Sequence, residues 1–258
     1  MAHKDKTALV TGAAGGLGRA IAEEFLRQGA NVIICDINKD LISDFKEKVS
    51  AAYPECTLVL DCNITDDAAI DDMFEQGEKK FGQIDYVVNN AGIMDRFDPA
   101  GEVERETWDR VIALNLTAPT FVTKRAVNLM IKHEIKGSIV NICSIAGIRG
   151  FTSGAAYTAS KHGLLGLTKN TAAFYGLKNG IRCNAIMAGG MQTNIAAAFQ
   201  KSGINMEGLG IMRKTFPEDA FAYVEIEKVA KLVLYLCSEE GSIVNGATWT
   251  ADGGSTAN

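Results

Sequence analysis

Thr11-Gly12-Ala13-Ala14-Gly15-Gly16-Leu17-Gly18 joins a strand-like run, Thr7–Thr11, to a segment in which Leu17, Ile21 and Phe25 recur every four residues. Glycines in that place permit a sharp turn and let backbone approach a pyrophosphate, whose charge sits at the N-terminus of the following helix. A glycine cluster alone fits any tight turn. The strand before it and the helix after it supply the context that the motif requires. The spacing is TGxxxGxG, with Gly12, Gly16 and Gly18, rather than GxGxxG.

Outward from this turn the chain keeps alternating. Thr7–Thr11, Asn31–Asp36, Thr57–Asp61, Ile84–Asn89, Ser138–Ser144, Ile181–Ile186 and Thr248–Asp252 read as strands, most of them continuous in Val, Ile and Leu. Such runs suit strands covered on both faces. Between them the period is helical, as in Leu41, Phe45 and Val49, or Val229 and Val233. The predicted fold is therefore α/β: a single doubly wound Rossmann domain over 1–258, with about seven parallel strands and helices on both faces.

Composition bounds the function. The 258 residues suffice to bury about 73% of the unfolded surface in one core. With 26 Lys+Arg against 31 Asp+Glu, the net charge of −5 argues against a nucleic-acid groove. No apolar run of about 18 residues exists to span a membrane, and no apolar leader precedes Thr7. The six cysteines form no CxxC pair and the three histidines no zinc spacing, so no metal is expected and the location is read as cytoplasmic. The 26 glycines against 4 prolines are the excess that needs explaining.

The second strand closes at Asp36, 18 residues beyond Gly18. An acidic side chain there accepts from adenosine ribose hydroxyls and repels a 2′-phosphate. Ile37 follows, with no adjacent cation, so NAD is favoured over NADP; Arg19 is the residue that could reverse this. Tyr157 and Lys161 lie four apart in a helical stretch, Gly154–Leu177, and so share one face. A neighbouring ammonium would lower the phenol pKa from about 10 towards neutrality. Ser144 ends a strand 13 residues earlier, at the carboxyl edge where ligands bind in open α/β sheets.

With TGAAGGLG at 11–18, Asn89-Asn90-Ala91-Gly92, Asn115 in Leu114-Asn115-Leu116, Ser144, and Tyr157 with Lys161, the chain resembles the single-domain branch of the short-chain dehydrogenase/reductase family over nearly its whole length. The resemblance implies that Tyr157 is the general acid/base and that Lys161 lowers its pKa and binds the nicotinamide ribose. It implies that Ser144 orients the substrate oxygen and that Asn115, in a helix, holds a water linking Lys161 to solvent. Gly12, Gly16, Leu17, Gly18, Asp36, Ile37, Asn90, Ala91 and Gly92 would line the cofactor. Asn63-Ile64 stand where the family carries Asp and an aliphatic residue against adenine, with Asp61 as a fallback. Met191 and Thr193 would reach the carboxamide. Ala188-Gly189 replace the usual Pro-Gly, which predicts a looser loop.

The same resemblance makes residues 193–224 a substrate lid, carrying Ile195, Phe199, Ile204, Met206, Leu209, Ile211, Met212, Phe216 and Phe221. Met94, Phe97, Ile145, Ile148, Phe151 and Met187 are expected to add apolar wall, pointing to a secondary alcohol or ketone with a hydrophobic body. Arg96 and Arg149 could instead hold a carboxylate or a carrier phosphate. The alternatives are an NADPH-dependent 3-oxoacyl-carrier reductase, which Asp36 opposes, and a catalytically idle NAD-binding regulator, which would not need Asn115, Ser144, Tyr157 and Lys161 together. A homotetramer through the long helices Glu104–His133 and Gly154–Leu177 and the strand Thr248–Asp252 is the family expectation.

Overall fold

A computed structural model describes residues 2–193, 203–215 and 223–257. Seven strands, β1 (Thr7–Thr11), β2 (Asn31–Asp36), β3 (Thr57–Asp61), β4 (Tyr86–Asn89), β5 (Ser138–Ile142), β6 (Arg182–Ala188) and β7 (Thr248–Ala251), form one sheet in the order β3-β2-β1-β4-β5-β6-β7. Every neighbouring pair is parallel. The chain winds outward from β1 to β3 and then returns to start β4 on the other side of β1. That reversal opens a crevice at the carboxyl ends of β1 and β4, the place where open α/β sheets bind ligands.

The helices follow from alternation within the strands. Ala8 and Val10 face one side of the sheet and Leu9 the other. On the first side lie α1 (Gly16–Arg27), α2 (Lys39–Lys48) and α8 (Ile226–Cys237), through Ile21, Phe25, Phe45 and Val233. On the second lie α3 (Asp67–Phe81), α5 (Ala118–Lys132) and α6 (Ala155–Asn179), through Phe74, Val122, Met130 and Ala172. Two short helices complete the described chain, α4 (Arg105–Ile112) and α7 (Met206–Thr215). No described helix is long and apolar enough to cross a membrane. All six cysteines are free thiols.

Several boundaries differ from the sequence reading for identifiable reasons. β5 stops at Ile142 because the backbone turns at Ser144, whose hydroxyl accepts from the Ala146 amide at 3.1 Å. The stretch 104–133 is not one regular helix: Ala113–Thr117 forms a π-helical turn between α4 and α5. The loop expected to slacken for want of proline is instead drawn into the sheet. Ala188 pairs with Ala251, and the Gly189 amide donates to the Ala251 carbonyl at 2.9 Å.

One half-buried cation ties together the end of α8 and the turn after it. The Arg182 guanidinium donates to the carbonyls of Leu236 (2.7 Å), Gly241 (3.0 Å), Val244 (3.2 Å) and Ser238 (3.2 Å). It thereby satisfies the end of α8 and the turn after it, where helical carbonyls lack partners and positive charge is favoured. Arg182→Met keeps the apolar stem but orphans these acceptors. Destabilisation of about 2–4 kcal/mol is expected, read as a lower urea midpoint with an unchanged slope; an unchanged midpoint refutes the account.

Candidate active site

The crevice is built first from backbone clearance. Gly12 has φ +61°, and a Cβ there would lie 2.9 Å from the Ala91 Cα; a Cβ on Gly18 would strike the Gly12 carbonyl and the Asn90 side chain. Asn90 locks the two strand ends together. Its Nδ2 donates to the carbonyls of Thr11 (2.9 Å) and Gly12 (3.0 Å), while the Thr11 hydroxyl accepts from the Asn90 and Ala91 amides at 3.0 and 3.1 Å. The turn so held aims the N-terminus of α1 into the crevice, a place that favours an anion. Gly16 and Leu17 open that helix.

At the outer end, Asp36 closes β2. Its Oδ2 accepts from the Ala14 amide at 3.1 Å, and its Oδ1 accepts from the Ile37 and Asn38 amides at 2.8 and 3.0 Å. The carboxylate is thus fixed beside the glycine turn, with Ile37 exposed next to it. Arg19 is committed elsewhere, to Glu23 at 2.8 Å and Asp44 at 2.6 Å. Asn63 is exposed, and its Oδ1 accepts from both the amide and the hydroxyl of Thr65, at 3.1 and 2.9 Å. Only its amide NH2 is left to face a ligand, so acceptance from an adenine amino group, the contact expected of it, is lost. Ile64 is buried in the core, and the fallback Asp61 lies 3.7 Å from Lys39.

At the inner end, Gly92, Asn115 and Lys161 converge. A Cβ on Gly92 would sit 3.2 Å from Asn115 Oδ1 and 3.6 Å from Lys161 Nζ. Asn115 lies in the π turn, with Oδ1 accepting from the Ile93 amide and Nδ2 donating to the Ile93 carbonyl, both at 2.9 Å. It also donates to Ser160 Oγ at 3.3 Å. Its side chain clamps the strand exit, which is more than the sequence reading asked of it. π turns are common at functional sites because the widened backbone re-aims a side chain.

Tyr157 and Lys161 do share one face of α6, with the Lys161 Nζ 5.5 Å from the centre of the Tyr157 ring. Ser144 lies near the Tyr157 phenol, where its hydroxyl favours the phenolate. Lys161 donates to the Ile142 carbonyl at 3.0 Å, and no carboxylate pairs with it among the described residues. Burial pushes the Tyr157 phenol up, and the influence of Ser144 only partly offsets this. Burial likewise pulls the Lys161 ammonium down. A buried ammonium with one carbonyl partner keeps two unmet donors, which suits ligand hydroxyls. The unpaired cation, the cleared glycine turn and the Asp36 carboxylate together fit a dinucleotide lying along the carboxyl edge.

Other expected wall residues sort differently. Met187 is wholly buried, packed with Cys143 and Leu164, and Ile145 is buried too. Met94 and Phe97 are half-buried beside the crevice, and Ile148 is exposed. Arg96 faces Glu104 at 3.2 Å and Asp98 at 3.8 Å, and Arg149 donates to the Thr256 carbonyl at 2.7 Å, so neither is a free anion holder. Met191 packs partly against the core, and Thr193 is half-buried. Of the lid, Ile195, Phe199, Phe216 and Phe221 lie outside the described residues. Ile204, Met206 and Ile211, at and on α7, are exposed, while Leu209 and Met212 are half-buried.

A crevice at the β1/β4 reversal, lined by a glycine turn and an acidic strand end, defines a Rossmann-type dinucleotide-binding protein. Residues 12–256 match a family model described as enoyl-(acyl carrier protein) reductase. The chain is 46% identical over 255 residues to the short chain dehydrogenase/reductase dpchG of Colletotrichum higginsianum, covering 98% of this chain and 94% of that one. It is 34% identical to 3beta-hydroxysteroid dehydrogenase 2 of Eggerthella lenta, over 98% of this chain and 95% of the relative. The crystal structure of levodione reductase superposes with a TM-score of 0.87 at 29% identity, covering 98% of both chains. The chain belongs to the short-chain dehydrogenase/reductase family, oxidoreductases that use nicotinamide cofactors.

The electrostatics generate a stability test. Because the folded pKa of Lys161 lies below its ordinary value, burying the ammonium costs stability while the lysine is charged. That cost vanishes as pH rises past the ordinary value near ~10.4. In cofactor-free protein, Lys161→Met should raise Tm at neutral pH, by about 2–4 °C per kcal/mol recovered. The gain should shrink towards pH ~10.4. A thermal scan in which the variant is no more stable at neutral pH counts against an uncompensated charge.

Proposed function

We propose that the protein is an NAD-dependent oxidoreductase that interconverts a secondary alcohol and a ketone on a hydrophobic body. The observation that carries this reading is the buried Tyr157 phenol with Ser144 close enough to favour its phenolate, beside a buried Lys161 ammonium that has no carboxylate partner among the described residues. Two neighbouring hydroxyls suit a single substrate oxygen. A bound nicotinamide supplies or takes the hydride at the substrate carbon. In reduction, Tyr157 gives its proton to the carbonyl oxygen while Ser144 donates a hydrogen bond to the same atom, completing the alcohol. In oxidation, Tyr157 takes the hydroxyl proton back. Lys161 holds ribose hydroxyls through its unmet donors, and its charge favours the phenolate when the proton leaves. Asn115 keeps Gly92 and Ile93 at the distance this needs, and a water held near it would connect Lys161 to solvent.

NAD is preferred in this reading because Asp36 stands at the ribose end and Arg19 is paired with two carboxylates. Gly12, Gly16, Leu17, Gly18, Ile37, Asn90, Ala91 and Gly92 line the cofactor, with Met191 and Thr193 at its carboxamide. Asn63 offers an amide donor to the adenine edge. The apolar body is supported by the exposed Ile148, Ile204, Met206 and Ile211. It is also supported by a relative named for a hydroxysteroid, which is an apolar alcohol. A homotetramer belongs to the same reading. The exposed Phe174 and Leu177 on α6 give it an apolar surface to cover, and sedimentation as a monomer would remove it.

The test is a panel of apolar secondary alcohols offered with NAD and read by NADH absorbance. Tyr157→Phe should cut turnover by about 10²–10⁴-fold while leaving NADH affinity nearly unchanged. Reduction of an unsaturated thioester at its C=C bond, with no alcohol oxidised, would overturn the assignment. For the cofactor, NADH should bind more tightly than NADPH by fluorescence titration. Asp36→Ala should narrow that preference by about tenfold, or ~1.4 kcal/mol; tighter NADPH binding by the unaltered protein sinks the NAD assignment.

A further inference from the structure

The helix that carries Tyr157 and Lys161 begins without a capping side chain of its own, because its first residue is preceded by Gly154. The missing partners come from the loop after β4. Asp95 is buried, with Oδ1 accepting from the Gly154 amide at 3.0 Å and Oδ2 accepting from the Tyr157 amide at 2.9 Å. The Asp98 carbonyl accepts from the Ala155 amide at 2.9 Å. Three amides at the start of α6, the catalytic tyrosine's own among them, therefore hang on residues 95–98. Orphan amides at a buried helix start are costly, so this contact sets where the helix can sit.

The same loop is held from its other side by α7. The Asn205 amide donates to the Arg96 carbonyl at 2.8 Å, and Asn205 Nδ2 donates to Asp98 Oδ1 at 3.0 Å and to Glu102 at 2.7 Å. Asn205 Oδ1 meanwhile accepts from the Gly208 amide at 3.0 Å, capping α7. Gly208 packs directly on the Phe97 carbonyl, leaving no room for a side chain. Phe97 itself has φ +67°, a conformation that a bulky residue holds only when its surroundings impose it. Asp95 Oδ1 accepts from the Phe97 amide at 3.0 Å and so grips this strained residue as well as α6.

We propose that residues 95–98 are a brace between α7 and the catalytic helix. Asp95 is the positioning residue for Tyr157, and Asn205 is the contact through which the seating of α7 holds Asp95 in place. The inference rests on Tyr157 being the acid/base of the reading above. It explains why a buried carboxylate is kept so near a phenol that must change its charge. The charge of Asp95 opposes phenolate formation and the Asp95 carboxylate fixes the Tyr157 backbone, so position and proton affinity change together. The titratable and charged groups facing the phenol are Lys161 on its own helix, Cys143 after β5 and Asp95 after β4, with Asp98 behind Asp95. From α4 it meets the apolar cluster of Trp108 and Val111.

Two measurements on the full chain test the brace. Hydrogen exchange of cofactor-free protein, read by mass spectrometry on peptides, needs no substrate. Asn205→Ala should speed exchange by at least about tenfold in segments 93–100 and 152–158, with 168–179 unchanged. Faster exchange confined to 203–215 overturns the link. The second is the pH profile of alcohol oxidation. Asp95→Asn should move the limb governed by Tyr157 to lower pH, by on the order of one unit, with kcat falling more than KM rises. A limb that stays in place, with only Tm reduced, makes Asp95 merely structural and overturns its role. If Asp95→Asn fails to fold, Asn205→Ala must show the same displacement, smaller but in the same direction, or the proposal falls. A wild-type protein that oxidises no alcohol refutes the reading of function, while the exchange result still decides the brace.

Discussion

The clasp between the ends of β1 and β4 is the constraint on which the site depends. Asn90 reaches across to two consecutive carbonyls, Thr11 and Gly12, while Thr11 accepts two amides in return. Four hydrogen bonds in so short a span leave no slack for a Cβ at Gly12 or Gly18. Without the clasp the glycine turn would be only a flexible loop. With it, the α1 N-terminus points into the crevice, and the backbone beyond Asn90 is delivered at a fixed height to Gly92 and Asn115. The glycine excess in the composition is in this part of the chain a consequence of that crowding.

The parts of this arrangement legible in the sequence were those with a short period or a short spacing. Continuous Val/Ile runs identify strands buried on both faces, and all seven are present, with end shifts of one or two residues. The glycine turn, Tyr157, Lys161 and Ser144 were recognised because each sits at a strand end or within one helix turn of its partner. What escaped depends on contacts between distant segments. Asp95 bonds a helix about 60 residues away, and nothing in its neighbours announces that. The π turn at Asn115 is invisible to a pattern of apolar residues, because one extra residue in a turn barely disturbs it. Asn63 was read by its type, whereas its oxygen is consumed locally by Thr65, a competition typical of Asn at loop positions. Met187 sits at a strand end with two faces, and the sequence does not say that it occupies the buried one, against Cys143 and Leu164.

The electrostatics of the catalytic pair change their meaning once burial is counted. The sequence suggests a lysine that makes a tyrosine acidic. In the folded chain the same water exclusion that strengthens a charge interaction also penalises both charged forms, and it raises the phenol while lowering the ammonium. The phenol is therefore poised in its neutral state, the one that the proposed role of Tyr157 as general acid needs before it protonates a carbonyl. Forming the phenolate is favoured by positive charge in the crevice, which Lys161 supplies against the cost of its own burial. It follows that proton affinity at Tyr157 is governed as much by what occupies the crevice and how tightly it is closed as by the residue four positions along the helix.

That dependence gives the loop after β4 more weight than its length suggests. It leaves the Asn90 clasp, passes Gly92 and Asn115, and within a few residues supplies the cap of the catalytic helix and the seat of α7. A single stretch of about a dozen residues thus touches the crevice, the tyrosine proposed to transfer the proton, and α7. Rigid elements hold position well but transmit it only where they share a contact, and here the shared contacts are hydrogen bonds to backbone, which tolerate little change in length. Displacement at either end must therefore be absorbed by the strained Phe97 or passed to Tyr157. Because Phe97 already holds a φ of +67° that its surroundings impose, the physical argument favours transmission.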